Sequence, residues 1–351
     1  MERYVLPFSQ GYLAHRISSV AMKALRLHNP GDLRLHEEPI PDPGVGEKLL
    51  HVRAVGICGS DLHWFNEAGI GDARLDKPLI LGHEFTALTE EGERVAVDPA
   101  ITCGTCEYCK RGDPNLCESL VFAGHGDQDG ALREQIAWPE RCLFPLPDAL
   151  SNADGAMLEP LGIAIHAVDL AHLQVGMSVG VFGCGPIGLL ILQLARLAGV
   201  NKVIATEILP HRVEAAVALG ADETHLVSGK FGEQEVARFD RWGLDVVFEA
   251  AGENAAVEMA VATVRPGGKV ILLGIPADDR TSFTASVARR KGLTLKLVRR
   301  MKLTYPRAIQ LVESGKVDVG SLVTHTFLLE NAFEAFALAA RRDGLKVMIT
   351  P

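Results

Sequence analysis

The sequence predicts a two-domain α/β protein, an irregular antiparallel β-barrel followed by a doubly wound parallel sheet. Three observations carry this. The chain has 351 residues, more than one ordinary domain holds and suited to two. Its first part is a series of short apolar runs punctuated by glycine and proline, the pattern of short strands. From about residue 160, apolar runs alternate with helical stretches, and such alternation implies parallel β-α-β units.

In the first part, Leu49–Val55, Arg94–Val97 and Arg141–Pro147 read as strands, separated by Gly46, Pro78, Pro99, Pro114 and Pro139. In the second, strands are expected over Ser178–Phe182, Lys202–Thr206, Glu223–Val227, Leu244–Glu249, Lys269–Leu273 and Leu293–Val298. Helices are expected over Pro186–Ala198, His211–Leu219 and Ala255–Val264. Roughly six strands fit a two-halved nucleotide-binding sheet. From about Pro306 the chain reads as helical and then extended, returning to the first domain.

Composition narrows the function. Hydrophobic residues make up 48% and charged residues 23%, a globular profile that excludes a disordered chain and a membrane bundle. The most apolar stretch, Ile187 to Leu194, is short and is followed by Arg196, so no membrane span is expected. The net charge of −9 speaks against a nucleic-acid partner, because phosphate contacts need clustered cations. Seven cysteines are present, four of them between Cys103 and Cys117. That distribution reads as a metal site in a reducing, cytoplasmic compartment rather than a disulfide framework. Residues 1–21 lack the continuous apolar core of a secretory signal. They are expected to be a poorly ordered extension, with a targeting role as the alternative.

Gly183-Cys184-Gly185-Pro186-Ile187-Gly188 is a G-x-G-x-x-G that follows an apolar strand and opens a helix, the context that gives this otherwise weak pattern its meaning. The first glycine permits the turn, the second lets backbone approach a pyrophosphate, and the third lets the helix pack on the strand. The helix N-terminus then faces the phosphates. Glu207, at the end of the next strand, is placed to bind the adenosine ribose hydroxyls and to repel the extra phosphate of NADP. NAD is therefore the expected cofactor, with Arg212 close enough to soften the preference.

Cys103, Cys106, Cys109 and Cys117 offer the four thiolates of a structural zinc site. An iron–sulfur cluster is the alternative, but its usual run closes with a cysteine three residues on, followed by proline. Here seven residues intervene before Cys117 and Glu118 follows it. A second constellation is Cys58-Gly-Ser-Asp-Leu-His63, Gly82-His83-Glu84 and Glu159-Pro160. A cysteine, a histidine and an acidic residue can form an open zinc site. Taken singly, Cys58 is more often a small core residue and His83 more often a satisfied polar group.

These segments occur in the order found in the zinc-dependent medium-chain dehydrogenase/reductase family, which the chain resembles from Met22 onward. It is most similar to the sorbitol (polyol) dehydrogenase branch, through the Cys58–His63 motif, Leu81-Gly-His-Glu84, Leu158-Glu-Pro-Leu161, Ile165-His-Ala167, Arg300, Thr304-Tyr-Pro306 and Leu322-Val-Thr-His325. The resemblance implies a GroES-like catalytic domain over residues 22–161 and 300–351, with the zinc lobe near 99–118. It implies a Rossmann NAD-binding domain over 162–299. Cys58, His83 and Glu84 would bind the catalytic zinc, and Glu159 would be a fourth ligand or hold its water. Ser60 and His63 would relay the proton, and Arg300 would meet the substrate. The activity implied is hydride transfer from a secondary alcohol, such as a polyol, to NAD, in a homodimer or homotetramer.

Several departures from the branch carry expectations of their own. Ala87 stands where the family has glycine, and the hairpin after Glu84 is short. Met301 and Leu303 replace more polar types, which predicts a less polar pocket. Gly124–Gly130 reads as a surface turn or, less simply, an entrance loop. Cys142 and Cys184 read as inert. Competing functions are a threonine 3-dehydrogenase-like enzyme, a zinc-free quinone reductase, disfavoured by the intact metal motifs, and a catalytically silent nucleotide-binding protein.

Overall fold

The computed structural model describes residues 21–228 and 243–351, so the expected extension lies outside the described residues except for Ala21. The chain enters on a hairpin, β1 (Ala21–Asn29) and β2 (Asp32–Pro39), and continues into β3 (Glu47–Gly56) and α1 (Gly59–Glu67). Short β4 (Leu79–Ile80), β5 (Glu84–Thr89), β6 (Arg94–Val97), β7 (Gln135–Pro139) and β8 (Leu143–Pro145) follow. Strand β3 is the spine of this half. It pairs antiparallel with β5 along most of its length, with β7 near its start and with β16 (Lys346–Thr350) at its end. The C-terminal strand β16 thus closes the sheet whose N-terminal members were laid down some 300 residues earlier. Glycine and proline separate the strands, and their alternating side chains bury Leu50, Val52, Phe85, Val95 and Trp138 in one core.

Helix α2 (Leu158–Ala171) leads into the second half. There β9 (Ser178–Phe182), α3 (Pro186–Leu197), β10 (Lys202–Glu207), α4 (Pro210–Ala218), β11 (Glu223–Leu226) and β12 (Leu244–Glu249) follow in turn. Then come α5 (Asn254–Thr263), β13 (Val264–Leu272), α6 (Ala285–Lys291) and β14 (Thr294–Leu297). The six strands lie in the order β11-β10-β9-β12-β13-β14, all parallel. The switch point between β9 and β12 is where open α/β sheets bind ligands. Both faces are covered, by α2 and α3 on one side and by α5 and α6 on the other.

The tail forms α7 (Tyr305–Glu313), β15 (Val323–Leu328), α8 (Ala332–Arg341) and β16. Helix α7 packs on α2 through Tyr305 and Ala308, in the core that also holds Leu189, Leu192 and Val203. Met301 is buried there, against Gly162 and Thr304, whereas Leu303 is 74% exposed. Neither side chain lines the cleft described below. The less polar pocket expected from these two residues therefore does not follow from them. The hairpin after Glu84 is indeed short, closed by Gly92 N–H on Thr89 and Thr89 N–H on Glu93.

Candidate active site

Strand β3 ends at Gly56, and Cys58 follows in extended conformation as the N-cap of α1. At the third helical position, Asp61 is buried and holds three groups together. Its carboxylate accepts from the Cys58 N–H at 2.9 Å and the Gly82 N–H at 3.2 Å. It also lies 3.5 Å from His83 Nδ1. This carboxylate–imidazole contact at Nδ1 leaves His83 Nε2 on the side where a metal could be held, the usual arrangement around ligating histidines. Burial opposes the charged imidazole, but Asp61 and Cys58 together outweigh it and hold the His83 pKa well above the ordinary value. Gly82 has φ +92°, and a Cβ there would lie 2.7 Å from Val55 Cγ1. Only glycine turns the chain so tightly into His83.

Glu84 opens β5 opposite Gly56. The donor atoms of Cys58, His83 and Glu84 all lie within 4.8 Å of one another, close enough to converge on one ion. The two ends of the constellation, remote in sequence, are brought together by the β3–β5 pairing. Glu159, near the start of α2, falls outside that group. It is fully buried, one of its carboxylate oxygens has no partner, and burial raises its pKa to about 7. Arg300 takes a left-handed φ of 50°, lies over the Phe122 ring at 4.1 Å, and approaches Asp98 at 3.5 Å. Its Nε is buried and unpartnered, and its Nη2 is buried with only the Asp98 ion pair. Phe122 in turn lies against the His83 ring, 5.1 Å between centroids. Neither Arg300 nor Glu159 is among the residues that line the cavity between the two halves.

Ser60 Oγ lies 3.4 Å from His83 Nε2. His63, one turn on, is 3.6 Å from Glu67. Both line a cavity of about 600 Å³ between the two halves, together with Cys58 and Glu84. The opposite wall of the same cavity is Gly183, Gly185, Pro186 and Ile187. Gly183 has φ +96°, and a Cβ there would press on the backbone of Ala250 and Ala251. A Cβ on Gly188 would lie 1.9 Å from the Gly183 carbonyl, so helix and strand can approach only with glycine in this place. At Gly185, a Cβ would meet only Arg212, at 3.6 Å, which leaves the open cradle a pyrophosphate needs.

Glu207 ends β10 in this cavity, and its carboxylate is taken up by backbone. It accepts from Cys184 N–H at 2.9 Å, Ile208 N–H at 2.7 Å and Leu209 N–H at 3.3 Å. Arg212 donates to the Gly344 carbonyl at 3.2 Å, a contact across the cleft.

The sulfurs of Cys103, Cys106, Cys109 and Cys117 also lie within 4.8 Å of one another, as a tetrahedral thiolate site requires. Backbone N–H groups of Thr105 and Cys106 lower the Cys103 pKa to about 6, which favours the ligating thiolate. Loss of solvation raises Cys109 to about 12. Cys142 and Cys184 are buried apart from both clusters. The Gly124–Gly130 loop is more than a surface turn. Its tip is exposed, but Gly130 N–H bonds the Ile80 carbonyl at 2.7 Å, and a Cβ at Gly130 would strike Gly82 O at 2.4 Å. The loop thus buttresses the segment leading into His83.

The chain resembles known proteins over most of its length. Residues 44–148 match the alcohol dehydrogenase GroES-like domain, and residues 186–314 match the zinc-binding dehydrogenase domain. Sorbitol dehydrogenase of Bacillus subtilis is 36% identical over 346 residues, covering 94% of this chain and 97% of its own. L-idonate 5-dehydrogenase of Vitis vinifera is 34% identical, covering 90% of this chain and 91% of its own. The crystal structure of 2R,3R-butanediol dehydrogenase from Bacillus subtilis superposes with a TM-score of 0.82 at 29% identity, covering 94% of this chain and 99% of that one. The chain therefore belongs to the zinc-dependent medium-chain dehydrogenase/reductase family, with a GroES-like and a Rossmann domain, and is an NAD- and zinc-dependent alcohol dehydrogenase. Within that family it falls in the sorbitol dehydrogenase branch.

Two residues of the site escaped the sequence reading. Asp61 sits inside the quoted motif, and its position three residues after an N-cap is a signal of backbone capping, though not of its contact with His83. Lys346 carries no sequence signal at all. Its buried ammonium lies 2.8 and 2.5 Å from the two Glu84 oxygens and 3.1 Å from the Ile57 carbonyl. No helix among the described residues is long and apolar enough to cross a membrane.

Proposed function

We propose that the protein oxidises a polyol or a related secondary alcohol to the ketone, with NAD as hydride acceptor. The observation that carries this is that Cys58, Ser60, His63 and Glu84 line the same cavity as the glycine turn at 183–185. Substrate and nicotinamide can therefore meet beside the metal ligands. Cys58, His83 and Glu84 would hold the catalytic zinc, with Glu159 as fourth ligand or as the acceptor for its water. Cys103, Cys106, Cys109 and Cys117 would hold the structural zinc. When bound, zinc supplies Lewis acidity toward the alcohol oxygen, and the nicotinamide supplies the hydride acceptor.

The chain's own groups do the rest. Ser60 Oγ would accept the hydroxyl proton while handing on its own, and His63, half-buried at the cavity edge, would pass a proton on toward solvent. Arg300, stacked on Phe122 and steadied by Asp98, donates to a distal substrate hydroxyl. Gly183, Gly185, Pro186, Ile187 and Gly188 cradle the pyrophosphate. Glu207, released from its backbone partners, accepts from the adenosine ribose, with Arg212 beside it. The catalytic domain comprises residues 22–161 and 300–351, and the NAD domain residues 162–299. The enzyme works in the cytoplasm as a homodimer or homotetramer. The outer edge of β14, unpaired among the described residues and with Leu297 75% exposed, supports association.

The test is NAD reduction by purified protein with sorbitol, xylitol, smaller diols, threonine and a primary alcohol, each with and without a zinc chelator. Chelator-sensitive turnover of a polyol or diol is expected. Turnover of threonine alone would refute the polyol assignment.

A further inference from the structure

Lys346 is nearly the most buried lysine a protein tolerates, at 3% exposure, and its partner Glu84 is 1% exposed. Three strands meet to enclose them: β16 supplies Lys346, β5 supplies Glu84, and the end of β3 supplies Gly56 and Ile57. Glu84 Oε2 lies directly over Gly56, where a Cβ would come within 2.2 Å of it. The carboxylate thus sits against the Gly56 backbone and Lys346, with the donor atoms of Cys58 and His83 within 4.8 Å. Lys346 Nζ is fixed independently by the Ile57 carbonyl, one residue before Cys58.

We infer that Lys346 is a positioning residue of the metal centre, sharing the Glu84 carboxylate with the metal and thereby weakening Glu84 as a donor. The inference rests on the reading that Glu84 is a metal ligand. A thiolate and a full-strength carboxylate together cancel the charge of a divalent cation and blunt its pull on an alcohol oxygen. An ammonium within 2.8 Å of both carboxylate oxygens draws off part of that donation. The same contact competes with the ion, because metal must take Glu84 from a partner it already has. Removal of the lysine leaves a buried carboxylate whose only compensation is metal.

The experiment is competition between a chromophoric chelator and the Cys58–His83 site, with the four-cysteine site kept filled. It compares the wild type, Lys346→Met, Lys346→Arg, Glu84→Gln and the Lys346→Met/Glu84→Gln double variant. Lys346→Met is expected to tighten zinc binding about tenfold or more, in the range by which outer-shell partners act. Lys346→Arg, which keeps the cation, should stay near wild type. Glu84→Gln should weaken zinc binding, and adding Lys346→Met to it should change nothing further. Binding of NADH to the zinc-free protein, followed by its fluorescence, should be the same in Lys346→Met and wild type. Unchanged or weaker zinc binding in folded Lys346→Met overturns the inference. So does a gain that persists in the Glu84→Gln background, which also serves if the single lysine variant does not fold. A loss confined to NADH binding would make Lys346 a cofactor residue instead. Unaltered zinc affinity in Glu84→Gln alone would remove the ligand reading itself.

Discussion

Asp61 shows how one side chain can organise a site it does not enter. Its two oxygens tie the Cys58 amide, the Gly82 amide and the His83 ring. Asp61→Asn keeps the shape but loses the charge that orients His83. Zinc retained after graded chelator treatment should fall about 10- to 100-fold in affinity, as for other outer-shell groups of ligating histidines. Gly188 tests the opposite wall. Gly188→Ala must displace helix α3 from the Gly183 carbonyl, 1.9 Å from the new Cβ. NADH binding measured by fluorescence should be lost while the four-cysteine zinc is retained.

Elements fold where local chemistry and pairing agree. The β1–β2 hairpin is anchored by Arg26, which donates to Glu38 within the hairpin and to Asp129 in the buttressing loop. The hydrogen bond from Arg26 is the largest influence on Glu38 and lowers its pKa, against the opposing effect of burial. A depressed carboxylate stabilises the fold above its unfolded pKa and loses that contribution as pH falls through the folded value. Glu38→Gln should therefore cost about 1–3 kcal/mol at neutral pH. Its urea midpoint should converge with the wild type below about pH 4. In the zinc lobe, Cys103→Ser should remove one zinc per chain by elemental analysis and lower the melting temperature, because a structural site contributes folding energy directly.

At the scale of the whole molecule, the two halves are joined by a continuous core that runs from Leu158 and Leu161 through Leu189 to Tyr305. Gly162 is its closest approach: a Cβ there would lie 2.2 Å from Met301 Sδ and 2.6 Å from Thr304 Oγ1. Gly162→Ala should cost about 1–3 kcal/mol by overpacking, read as a drop in the denaturation midpoint. If the edge of β14 associates, Leu297→Glu should lower the mass measured by light scattering toward that of a single chain.

Much of this was legible from residues alone. The parallel strands announced themselves as apolar runs spaced by helices, and their observed bounds shift from the expected ones by a residue or a few, as with β13, which begins at Val264 rather than Lys269. The glycine turn and the four cysteines were legible because their donors and cradle are local. The Gly188–Gly183 contact and the cysteine spacing lie within a few residues, although the need for glycine at 183 also comes from the backbone of Ala250 and Ala251. Tertiary structure alone decided what depends on distant strands. The convergence of Cys58 with His83 and Glu84 needs the β3–β5 register, and the capture of Glu84 by Lys346 spans 262 residues. Packing on α2 buries Met301 while Leu303 stays exposed, and no pattern along the chain encodes that. Sequence spacing determines which groups are close when they share a turn. Burial, pairing register and the desolvation of charge determine the rest, and those arise only when the strands have closed around the cleft.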